Sequence, residues 1–155
     1  MRLPTFSRAE AILWGGLAAG VLDIGMVFAI WAAKGVMPSG ILQAIASSVM
    51  GLAAYEPANA QIAMPLGMVL HFFVSYVFAA AYVLAADRVP LLKTRPVPCG
   101  LGYGVIAYLA MTLVVVPLSR ANFGPPADVW QLAQSLFVHL ALFGLPIALA
   151  ASRVR

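Results

Sequence analysis

The sequence predicts an all-α membrane protein: a bundle of four transmembrane helices, with one short helix on the outward side between the first two. Three observations predict it. Of the 155 residues, 63% are hydrophobic and only 9% are charged, and the mean hydropathy is +0.97. A soluble domain of this size needs far more charge to cover its surface, so the solvent of this chain is mostly lipid. Four apolar stretches reach the roughly 20 residues that a bilayer crossing takes. Finally, the nine basic residues lie between those stretches rather than along one helix face. That is how a membrane protein orients itself, and it argues against nucleic acid as a partner. The expected partner is the lipid bilayer, and both a homo-oligomer and a larger membrane complex are compatible with such a chain.

The elements follow in order within one domain, 1–155. The first span is 11–33, AILWGGLAAGVLDIGMVFAIWAA. Arg2 and Arg8 precede it as in a signal peptide, but the stretch is too long for a signal core and Ala32-Ala33-Lys34 is a poor cleavage site, so it is expected to be retained. The short helix covers 40–54. Ile41, Leu42, Ile45, Val49 and Leu52 fall on one helical face, with Gln43 and Ser47 away from its centre. Ser39 is placed to cap it and Pro57 follows it. About 14 residues are too few to span, so this helix is interfacial or re-entrant, with the interfacial placement favoured. The second span is 62–86 and the third is 99–117. The fourth is 129–151, its start marked by Pro125, Pro126 and the N-cap candidate Asp128 with Gln131 three residues on. Pro146 inside it cannot bond to the carbonyl of Leu142, which predicts a kink.

Orientation follows from the basic residues. Arg2, Arg8, Arg88, Lys93, Arg95, Arg153 and Arg155 fall on one side; Lys34 and Arg120 fall on the other. This places both termini and the loop around Lys93 in the cytoplasm of a bacterial inner (plasma) membrane protein. On the outer rim, Arg120 is placed to pair with Asp128 or Glu56.

Small residues suggest helix contacts. Gly16 and Gly20 form a GxxxG in the first span, and Gly100 and Gly104 form one in the third. Glycine lets backbones approach where lipid supplies no hydrophobic drive. Because both pairs lie toward the cytoplasmic ends, the first and third helices are expected to touch there. The two halves also look faintly alike. GVLDIGMVF from Gly20 and GVIAYLAMT from Gly104 each lie in an outward-running helix, and each half returns through a helix with one histidine.

Within the spans only Asp23, His71 and His139 ionise readily. Counted at 1.5 Å per residue from the outer helix ends, each lies about 14–15 Å deep, near the midplane. Tyr108 falls in the same layer on the third helix. Three roles fit such a layer. It can be a polar cluster that sets helix register through interhelical hydrogen bonds. It can be a proton-responsive Asp–His set, since histidine titrates near neutrality and an intramembrane carboxylate is costly unless partnered. Or His71 and His139 can be the axial ligands of a b-type haem, making the chain an electron-transfer or accessory subunit, with Gly67 and Gly144 giving room. No Walker loop, HExxH or GxSxG occurs, and Cys99 is the single cysteine, so no disulfide, catalytic residue or metal site is assigned. A non-enzymatic role is expected.

With these residues in view, the chain resembles a set of small four-span bacterial inner-membrane proteins without an assigned activity. The shared pattern is AGVLDI at 19–24, ILQAIAS at 41–47, G…LHFF at 67–73, VVPLSR at 115–120 and VH…GLPIALA at 138–150. It is more distantly similar to the YagU family, whose histidine-led helix is fitted loosely by His71, Ser75, Val77, Phe78, Ala79 and Tyr82. The long polar outer loop of that family has no counterpart here. Its association with acid resistance implies a link to acid or envelope stress.

Overall fold

In the computed structural model, residues 5–121, 124 and 126–155 are described; Arg2 and Pro125, used above for orientation and for the start of the fourth span, lie outside them. The described chain is helical, and four helices are long and apolar enough to cross a membrane. These are α1 (Arg8–Ala32), α3 (Ala60–Ala86), α4 (Pro96–Leu118) and α5 (Val129–Ala151). The short helix α2 (Pro38–Met50) lies between the first two and continues into the 3-10 turn Gly51–Tyr55. The protein is a multi-pass membrane protein.

Local chemistry sets the helix ends. Ser7 and Glu10 form a capping box, which starts α1 three residues before the expected position. Its other end is a Schellman turn: Val36 N–H donates to Trp31 O and Gly35 N–H to Ala32 O, with Gly35 at φ 82°. α4 also starts three residues early, at Pro96, because a proline in the first turn lacks only a donor that has no helical partner. Asp128 caps α5 as expected, accepting from Gln131 N–H at 2.7 Å. Ser39 does not cap α2: the N-cap is Met37, Pro38 takes the first helical position, and Gly40 N–H donates to Met37 O.

Both internal prolines of the second half sit just after π-helical segments. Met111–Val115 precedes Pro117, and Val138–Gly144 precedes Pro146. Widening the turn moves the preceding carbonyls out of the proline ring's way, so the disturbance expected at Pro146 takes this form.

α1 and α5 form the middle of the bundle. α3 packs on α1, and α4 packs on α5. The buried core is built largely from alanines, including Ala11, Ala19, Ala79, Ala86, Ala107, Ala148 and Ala151, which let the backbones approach closely. The GxxxG pairs do not bring the first and third spans together. A Cβ on Gly16 or Gly20 would meet Tyr76 and Phe72 of α3, and a Cβ on Gly100 or Gly104 would meet the backbone of α5. Each glycine pair serves its own hairpin.

The short helix packs through its small residues. Its buried residues are Ala46 and Ser47, and Ala46 joins Ala54 and Ala63 in a second small core. Gly67 of α3 lies directly under the Leu42 carbonyl, leaving no room for a side chain. Val49 and Leu52, on the apolar face read from the sequence, are 53% and 67% exposed. Close approach to α3 selects the small face and turns the bulky one outward. Arg120 is held through its backbone, its N–H donating to Ser48 O at 2.9 Å. Among the described residues it has no ion pair: Glu56 accepts from Asn59, and Asp128 caps α5.

The N-terminal end is tied together. Phe6 N–H donates to Arg153 O and Arg155 N–H to Phe6 O, so both chain ends share one side of the bundle. On that side Asp87 is held by Arg8 at 2.8 Å and Lys93 at 3.0 Å.

Candidate functional site

The layer is built from one residue per span: Asp23 on α1, His71 on α3, Tyr108 on α4 and His139 on α5. Because Gly16 and Gly20 carry no side chain, α3 comes close enough to reach their carbonyls. His71 Nε2 lies 2.9 Å from Gly20 O; a carbonyl only accepts, so Nε2 carries the hydrogen and donates. One turn away, Ser75 Oγ donates to Gly16 O at 2.7 Å. Two residues four apart on α3 thus rest on two glycines four apart on α1.

Asp23 is three residues from Gly20 and shares its helix face. Its Oδ2 lies 3.9 Å from His71 Nε2, and the two side chains are only 14% and 11% exposed. That is too long for a hydrogen bond and within the reach of an ion pair. The Phe72 ring stands edge-on to His71 at 5.4 Å.

His139 belongs to the other hairpin and lies within the π segment of α5. Its Nδ1 donates within its own helix, to Ser135 O at 2.9 Å. The Tyr108 ring meets it edge-on at 5.4 Å, with Phe143 on another side at 6.2 Å. Both histidines lie within electrostatic reach of Asp23. By direct contact the layer holds two pairs, Asp23–His71 and Tyr108–His139, and the charge of Asp23 reaches both histidines. Among the described residues no three His, Cys, Asp or Glu side chains converge as a metal site would require.

The chemistry of the first pair follows from its surroundings. In an apolar medium an isolated charge is far more costly than a compensated one. Asp23 and His71 can be carboxylate with imidazolium, or acid with neutral imidazole, at no net charge. Adding one proton to either state leaves an uncompensated cation in the bundle. For His71 to ligate haem iron through Nε2, it would have to give up its bond to Gly20.

A different polar group sits at the membrane edge. The hydrogen bond from Lys93, and then the nearby charges of Arg8, Lys93 and Arg88, hold the Asp87 carboxyl below its ordinary pKa. It joins the start of α1, the end of α3 and the following loop. Sequence reasoning passed over Asp87 and named Ser75 only as part of the YagU-like pattern, without a contact. The signal for Ser75 was present: it lies one turn from His71, at the same spacing that separates Gly16 from Gly20. Asp87 and Lys93 are six residues apart, and only the turn Leu91–Thr94 brings them together.

No family model, no curated protein and no solved structure matches the chain.

Proposed function

We propose that this chain is a non-enzymatic protein of the bacterial inner membrane, with both termini cytoplasmic, whose Asp23–His71 pair responds to protons and links the bundle to acid or envelope stress. The observation that carries this reading is the placement of a carboxyl and an imidazole 3.9 Å apart, both mostly buried, in the middle of two spans. A pair used only to set register needs no titratable partner on each side. Gln and Asn would hydrogen-bond as well without the cost of ionisation. The excess of basic residues at the end that holds Phe6, Lys93 and Arg155 supports the cytoplasmic placement. The resemblance to the YagU family agrees with the acid-stress link.

The test is a double-mutant cycle of Asp23→Asn and His71→Gln, run on membrane-embedded protein at pH 5 and pH 8. Coupling between the two sites is expected at about 1 kcal/mol, and it should change between the two pH values. Survival of the expressing bacterium at acid pH should fall with either variant. Coupling of equal size at both pH values, with unchanged survival, returns the pair to a register-setting role. A Soret band in the purified protein that disappears in His71→Ala and His139→Ala would replace the proposal with a haem-binding one.

A further inference from the structure

α3 and α4 meet less closely than the other neighbouring spans, and a groove opens between them at the N-terminal end of the bundle. Its walls include Tyr82 and Ala85 from α3, Cys99, Gly102 and Ile106 from α4, and Leu92 of the connecting loop. Tyr82 and Tyr103 hold the two helices at this distance, their rings edge-on at 4.9 Å. Both hydroxyls are turned to backbone carbonyls: Tyr103 donates to Phe78 O at 2.7 Å, and Tyr82 to Leu92 O at 3.1 Å. The polar atoms are therefore satisfied within the wall, and an occupant meets rings and aliphatic carbon. Gly102 keeps the groove open, since a Cβ there would meet nothing within 4 Å. From Cys99 to Ile106 the floor runs about 10 Å along the helix, enough for the upper part of an acyl chain.

The connecting loop has a charge of its own. Residues 87–95 carry Arg88, Lys93 and Arg95 against a single acid, Asp87, which is already engaged by Arg8 and Lys93. Arg88 and Arg95 are exposed, and among the described residues neither forms an ion pair. Arg95 lies between two wall residues, three after Leu92 and four before Cys99, whose N–H bonds to its carbonyl. An apolar slot between two helices whose connecting loop carries three basic residues against one acid matches one class of molecule. We propose that the groove binds an anionic phospholipid, with an acyl chain along Gly102 and Ile106 and the phosphate at Arg95 and Arg88.

The full chain in neutral detergent is titrated with phosphatidylglycerol or phosphatidylcholine and read by native mass spectrometry. One phosphatidylglycerol should be retained about thirtyfold more strongly than phosphatidylcholine, the preference expected from two arginines near the headgroup. In the double variant Arg88→Gln/Arg95→Gln, both exposed positions, the preference should fall to about one. Gly102→Leu should fill the slot and release both lipids with helicity unchanged. Millimolar inorganic phosphate should not displace the lipid. Equal retention of the two lipids by the unmodified chain overturns the proposal, as does a preference that survives loss of both arginines. So does a folded Gly102→Leu variant that still binds, displacement by free phosphate, or a second copy of the chain occupying the groove in place of lipid.

Discussion

The two hairpins of the bundle use the same register for opposite ends. In the first, Gly20 of α1 faces Phe72, one residue past His71; in the second, Gly104 of α4 faces Leu140, one residue past His139. One turn away, Gly16 faces Tyr76, and Gly100 faces Ala148, Leu145 and Gly144. The faint repeat in the sequence therefore corresponds to a repeated packing scheme. Its use differs. In the first hairpin the glycines leave carbonyls open to side chains, and His71 and Ser75 occupy them. In the second, Gly104 and Gly144 bring backbone against backbone, so His139 bonds within its own helix instead. Where the first hairpin has Asp23, the second has Ala107, which is fully buried in the core. The comparison teaches that the repeat supplies a scaffold, and that the charged pair is an addition to one half of it.

The largest expected effect tests this difference directly. Gly104→Ala must push its Cβ into the backbone of His139 and Leu140, which cannot swing away. It should destabilise the membrane-embedded protein by about 3 kcal/mol, near the upper end for overpacking. Gly20→Ala meets only the Phe72 ring and Ser75 Oγ, and should cost about 1 kcal/mol. Steric-trapping or denaturant measurements on both variants would rank them, and equal costs would remove the distinction between the hairpins.

Ser75→Ala removes one interhelical hydrogen bond from the first hairpin only. A loss of about 0.6 kcal/mol is expected, the usual value for such bonds in membrane bundles. Tyr108→Phe keeps the ring that meets His139 edge-on and should change stability by less than about 0.5 kcal/mol. A larger effect would mean that the Tyr108 hydroxyl takes part in the layer.

The smallest effect is expected at the membrane edge, where Asp87 ties the end of α3 to Arg8 of α1 and to Lys93 of the following loop. Because its folded pKa is depressed, this contribution is fully present above the ordinary aspartate value of about 3.9 and is lost as the pH falls through the lower folded value. Asp87→Asn should therefore weaken the protein slightly at pH 7 and match the unmodified chain below that window. A difference that persisted in strong acid would show that Asp87 acts through packing rather than charge.

How much of this was legible in the sequence depends on the range of the interaction. The spans and the level shared by each pair followed from apolar length and residue counting, because helical rise is fixed. Asp128 was legible as a cap because its partner is three residues away. Helix neighbours were not legible: GxxxG shows that a close approach occurs, but not against which helix, and here each pair faced its own hairpin partner. The face by which α2 meets α3 was not legible for a related reason. Hydrophobicity points toward the interior in water, whereas beside a lipid-facing helix the small residues Ala46 and Ser47 make the contact and Leu52 is left outside. The split of the polar layer into two pairs depends on side-chain direction, which spacing alone does not give.

The central claim is that Asp23 and His71 form one proton-responsive unit within the first hairpin. Histidine side chains labelled with 15N can be followed by NMR through a pH titration of the full chain in bilayers. The account predicts that Asp23→Asn changes the course of the His71 titration. Identical His71 titrations with and without the Asp23 carboxyl would contradict it.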